Sequence, residues 1–169
     1  MLHKTSQERY EKLKKHFHRL MQKFNVDDLE DFILTANSMP VWMEHDPSLI
    51  QEQRDALARF MVEESLDWQI CNQIANRQKH LKPQRPGGPA LRVNSVNINS
   101  GGRGILLQST RSAQVIGAGE DISVDCSGSR QSALAFVLRT FQHFHYMYEM
   151  APIPLAQRQI PTLSDLVGV

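Results

Sequence analysis

The chain has 169 residues, 41% hydrophobic and 22% charged, which fits one domain able to bury its own core and excludes wholesale disorder. A formal net charge of +1 excludes a global field for nucleic acid or membrane, so a charged partner must be met by a local patch. No apolar run approaches the ~20 residues that span a bilayer, and the polar, basic start does not resemble a signal peptide; a cytoplasmic protein is expected.

Thr5 and Ser6 can cap a first helix running to about Phe24. Its apolar positions Tyr10, Leu13, Phe17, Leu20, Met21 and Phe24 step by three and four and predict one buried stripe. The other face carries Arg9, Lys12, Lys14, Lys15, Arg19 and Lys23, with His16 and His18 among them. Lys12, Lys15 and Arg19 are candidate phosphate contacts; Glu8 and Glu11 interrupt the face, as on an ordinary solvated helix. Asn25 breaks this helix. Asp27 and Asp28 suit the first turn of a second one, expected over about Asp28 to Ser38 and ended ahead of Pro40. Val41, Trp42 and Met43 then read as an apolar knot in a loop.

Asp46-Pro47 opens a third helix, with an acceptor at the cap and proline in the first turn. From Ser48 to about His80 there is neither proline nor glycine, which predicts one long helix at the centre of a bundle. One stripe runs Leu57, Phe60, Met61, Trp68, Cys71, Ala75, and a second runs Leu66, Ile70, Ile74. Pro83, Pro86 and Pro89 make the next stretch an extended linker.

The period then changes to two. Leu91 and Val93 alternate, the phase slips near Ser95, and Val96 and Ile98 alternate again, which predicts a bulge. The run from Asn99 to Gly104 is a turn, Ile105 to Gln108 a returning strand, and Ala113–Ile116 and Ile122–Cys126 a further hairpin across Gly117–Gly119. Ser127 or Ser129 caps a last helix to about Met150, with Leu134, Val137, Leu138, Phe141, Phe144 (or His145) and Tyr148 as its buried stripe. The proline-spaced tail either docks in extended form or stays loose. The fold expected is α+β: about four helices with a small antiparallel meander inserted before the last one. It forms a single domain over 1–169, with a helical part over 1–82, linker and meander over 83–126, final helix over 127–150 and tail over 151–169.

His80 stands at a helix C-terminus, where the carbonyl dipoles favour imidazolium, while Lys79 opposes that. Asn72, Asn76 and His80 fall one turn apart on one face. That stripe either forms a polar pocket for a phosphate, a base edge or a partner's backbone, or satisfies the last carbonyls and the linker. Asn76-Arg77-Gln78-Lys79-His80, at the end of a long central helix, resembles the helical bundles of the HEPN superfamily. Many of those are metal-independent ribonucleases or accessory subunits in bacterial toxin–antitoxin and phage-defence systems. The family's nuclease signature places an arginine a few residues before the histidine, whereas residues 73–76 here are Gln, Ile, Ala and Asn. The resemblance therefore implies a member lacking the nuclease pair, or one with a rearranged set.

RNA cleavage without metal needs a base for the 2′-hydroxyl and a cation on the phosphate. His80 is the candidate acid or base, and Arg77 or Arg85 would supply charge if the linker folds back. Metal binding is not expected: His16/His18 and His143/His145 are i,i+2 pairs that point to different helix faces. Nor is a cofactor. Cys71 and Cys126 lack CxxC spacing and are expected as buried free thiols. The leading expectation is a non-catalytic or weakly nucleic-acid-binding subunit that acts by protein association, as a homodimer or in a bacterial assembly. The alternatives are a ribonuclease centred on His80 and a purely structural interaction protein using the sheet edge and the tail.

Overall fold

A computed structural model describes residues 5–62, 66–79, 93–108 and 113–168. The fold is α+β, as expected. Helices α1 (Ser6–Gln22), α2 (Val26–Glu44), α3 (Gln51–Val62) and α4 (Leu66–Lys79) precede five strands. The strands are β1 (Val93–Gly102), β2 (Ile105–Gln108), β3 (Ala113–Ile116), β4 (Gly119–Cys126) and β5 (Ser129–Ser132). Then come α5 (Ala133–His145), a π-helical turn (Tyr146–Met150), a 3₁₀ turn (Leu155–Gln157) and the short α6 (Leu163–Val167). Among the described residues no helix is long and apolar enough to cross a membrane.

The apolar stripe of α1 is buried at every expected position, and Thr5 caps the helix by accepting from the Glu8 N–H. It packs on α5: Phe17 stacks on Phe141 with ring centroids 3.9 Å apart, and Tyr10 lies between Phe141 at 6.2 Å and Tyr148 at 4.7 Å. The chain between α1 and α2 docks on the sheet. Phe24 donates to the Ala118 carbonyl at 2.8 Å and accepts from Glu120 N–H at 2.8 Å. Gly119, at φ +145°, makes this approach possible, because a Cβ there would run into the Phe24 backbone. Asn25 caps α2, and the Glu120 carboxylate accepts from the free Val26 N–H at 2.8 Å.

Several boundaries differ from the sequence reading; one is that the run from Asn99 expected as a turn continues β1 to Gly102, paired with Gly119. α2 runs through Pro40 to Glu44, so Val41, Trp42 and Met43 form its last turn and no loop. Proline forfeits one helical hydrogen bond, but Met39, Pro40 and Met43 are all buried, and that burial offsets the loss. α3 begins at Gln51, because Asp46 is engaged elsewhere and the Gln53 side chain reaches back to the Ile50 N–H at 3.1 Å. The helix predicted from Ser48 to His80 is described as α3 and α4, on either side of residues 63–65. Trp68 is partly buried at the edge of the core, whereas Phe60, Ile70, Cys71 and Ala75 lie within it.

The strands do not form a simple meander. β1 pairs antiparallel with β4 and β4 with β5, giving the order β1-β4-β5, while β2 and β3 make a separate hairpin between them in sequence. The register shifts between Val93 and Ser95, where the phase slip predicted a bulge, and again between Asn99 and Gly102. Ser127 (φ 47°) and Gly128 (φ 81°) supply the two positive φ angles of a tight β4–β5 turn. The cap of α5 is therefore Ser132, not Ser127 or Ser129. Cys71 and Cys126 are free and buried, and burial pushes the Cys71 thiol up to about 12.

Candidate functional site

Of the residues singled out in the sequence, Asn72 and Asn76 are brought together on α4. The Asn76 amide donates to the Asn72 carbonyl oxygen at 2.8 Å, and Asn72 donates to Asn37 of α2 at 3.1 Å. Asn37 is the member the sequence reading missed; it joins the ladder only because α2 packs against α4. The Asn72 amide nitrogen therefore helps fasten α4 to α2, while its oxygen takes the bond from the exposed Asn76 on its own helix. Arg77 and Lys79 lie on the last turn of α4, with side chains outside the described residues; His80 and Arg85 lie wholly outside them.

Lys12, Lys15 and Arg19 are exposed on α1. The acidic start of α2 runs beside them. Arg19 is 4.0 Å from Asp28, and the ring of His16 feels Asp31 and Asp28 on one side and Lys12 and Arg19 on the other. The basic stripe is thus partly cancelled by its neighbour. His16 is not part of the exposed stripe: it is 6% exposed, and among the described residues neither ring nitrogen has a hydrogen-bonding partner. Burial lowers its pKa, which favours the neutral ring.

Two titratable clusters that the sequence reading did not assemble flank the end of α5. On one side the buried Asp67 of α4 accepts from Arg139 Nε at 2.9 Å, with His143 Nε2 at 3.8 Å. His143 lies 4.9 Å from the Phe60 ring, at a cleft of about 570 Å³ lined by Ala56, Arg59, Phe60, Tyr146 and Met147. On the other side Glu149 accepts from Tyr10 Oη at 2.9 Å and Lys14 Nζ at 2.8 Å, with His145 Nδ1 at 3.5 Å. Burial acts to raise the Glu149 pKa, but the hydrogen bonds from Lys14 and Tyr10 win and lower it. Burial and the bond to Glu149 both raise Tyr10, and Glu149 raises Lys14 against burial. Burial lowers His145. The two histidines, two residues apart, do face opposite sides. Among the described residues no group of three His, Cys, Asp or Glu side chains is placed to hold a metal ion.

The π-helical turn closes with Ala151 N–H on the Tyr146 carbonyl at 2.8 Å. Arg158 then ties the tail down, donating to Ile153 and Ala151 carbonyls at 2.8 and 2.9 Å and to Tyr146 Oη at 3.2 Å. With Leu166 buried, the tail is docked on the helices.

Ile160 and Leu155 of the tail are the most exposed of the described large apolar side chains, at 90% and 77%, and four more exposed ones lie on the strands. Val96 and Ile98 of β1 sit opposite Val124 and Ile122 of β4, and residues opposite one another share a face. Yet Val96 and Ile98 are 41% and 48% exposed, against 0% and 2% for their partners. β1 is one of the two edge strands of this sheet, and its inward side chains overhang the core. On the hairpin the cross-strand pair Leu106 and Val115 is 56% and 50% exposed. No protein family, curated protein or solved structure matches this chain.

Proposed function

We propose that this chain is a non-catalytic module that works by associating with protein through its strands. The observation that carries this reading is the half-exposed pair Val96 and Ile98 on the edge strand β1, with a second half-exposed pair, Leu106 and Val115, on the separate hairpin. One of the two titratable clusters offers no free base for turnover. Tyr10, Lys14 and Glu149 spend their polar atoms on one another, and a tyrosine and a lysine with raised pKa values are poor bases at neutral pH. The HEPN-like reading of the helices belongs to the same proposal, as a member that assembles and does not cleave. A role in a bacterial toxin–antitoxin or phage-defence assembly rests on that resemblance.

Sedimentation at micromolar concentration tests the reading, with wild type beside the double variant Leu106→Lys, Val115→Lys and beside Val96→Lys, Ile98→Lys. Association in the wild type that at least one pair of charges removes supports it. A 19.3 kDa particle at every concentration restricts the reading to a different protein partner, and association that neither pair disturbs overturns it as a property of the strands.

A further inference from the structure

Resting on that reading, we infer that the partner of the strand edge is a second copy of this chain, paired antiparallel through β1 about a two-fold axis at Asn97. Among the described residues no strand lies on the outer side of β1. Edge strands are commonly blunted by lysine, proline or a central bulge. The ten residues of β1, VNSVNINSGG, contain no charge and no proline, and both register shifts lie at its ends. Ser95 to Asn99 form an unbroken, uncharged stretch.

The side chains fix the register. With Asn97 opposite its symmetry mate, Val96 of each copy falls opposite Ile98 of the other. The apolar row Val124–Val96 of one copy then continues into Ile98–Ile122 of its partner, so the overhanging pair on each edge covers the other. A slip of two residues either way leaves one apolar residue facing Asn94 or Ser100, and a slip of one residue puts apolar side chains on the polar face. Electrostatics permit the pairing. The nearest carboxylates along a shared row, Asp121 of one copy and Asp125 of the other, are three strand spacings apart, about 14 Å, well beyond the Debye length of about 8 Å. The three-stranded sheet becomes six-stranded, with Ser95, Asn97 and Asn99 along its polar face.

The test is made on the full chain. Asn97→Lys places like charges opposite one another at the axis, while within one copy the new ammonium faces Asp125, which Asn97 already contacts at 3.0 Å. It is expected to keep the helical circular dichroism and raise the dimer Kd by about tenfold or more. Asn97→Cys with a short bis-maleimide is expected to cross-link to a covalent dimer, because the native cysteines are buried and do not compete. Ser123→Cys, one strand further from the axis on the same face, is expected not to. A wild-type dimer that survives Asn97→Lys, or a Ser123→Cys variant that links as well as Asn97→Cys, overturns the register while leaving association by the strands standing. A wild-type monomer overturns the second copy as partner and with it the register. If Asn97→Lys does not fold, the cross-linking pair decides alone.

Discussion

The Tyr10 hydroxyl donates to the Glu149 carboxylate at 2.9 Å, joining the first turns of α1 to the π-helical turn that ends α5. Lys14 and His145 complete the contact. Tyr10→Phe and Glu149→Gln should each lower stability, and the double variant should lose less than their sum. The expected coupling is about 1 kcal/mol, moderated by the partial exposure of Glu149. Urea unfolding of the four proteins measures it. Strict additivity would mean that the bond contributes nothing.

Asp46 fixes the start of α1. Its carboxylate accepts from the Ser6 N–H at 2.9 Å, the Ser6 hydroxyl at 2.5 Å, the Ser48 N–H at 2.9 Å and the Ser48 hydroxyl at 2.5 Å. Burial acts to raise its pKa, but the bonds from Ser48 and Ser6 hold it at about 2, below the ordinary 3.8. A depressed carboxylate contributes stability that is complete above 3.8 and is lost as pH falls towards 2. The contribution is about 2 kcal/mol. Asp46→Asn should lower stability at neutral pH by about that amount and flatten its fall between about pH 4 and 2. An unchanged acid limb would show that the carboxylate is not the group responsible.

His16 should make the fold sensitive to mild acid. Its folded pKa lies below the ordinary 6.5, so its contribution is complete above 6.5 and is lost as pH falls through the lowered value. His18 and His145 are lowered by burial in the same sense. His16→Leu should therefore reduce the slope of stability below pH 6.5 without abolishing it. At about pH 7.5 stability should be unchanged or raised by about 1 kcal/mol, since two buried unpaired nitrogens are removed. A large loss at that pH would mean that the imidazole makes a bond essential to α1 and α2.

The basic stripe of α1 should bind RNA weakly and through phosphates alone. Charge reversal at Lys12, Lys15 and Arg19 should abolish binding to a mixed single-stranded pool, and raising salt to moderate levels should do the same. Labelled RNA incubated with EDTA should stay intact with wild type and with His80→Ala alike. Chelator-resistant cleavage that falls by ~10²-fold in His80→Ala would instead establish the nuclease reading.

Local pattern carried much of the fold. The i,i+3/i+4 stripe of α1 is buried residue for residue, and the phase slip near Ser95 is a register shift, because both signals lie within a few neighbouring residues. Where a local preference met a tertiary gain, the sequence misled. Pro40 argued for a helix end, but Met39 and Met43 on either side of it are buried in the core and carry α2 onward.

By itself the sequence determined the α+β class, the α1 stripe that faces the core, the free cysteines and the opposed faces of His143 and His145, since each follows from periodicity or spacing along one element. On α5 it named Leu134 and Leu138, which are only partly buried, and missed the buried Phe136 and Thr140. Only the tertiary structure decided that β1 pairs with β4 around the β2–β3 hairpin, which leaves β1 as an uncharged edge. It alone brought Glu149 to Tyr10 across 139 positions and Arg139 to Asp67 across 72. Such contacts depend on which faces of separate elements meet, and no spacing within either element encodes that choice.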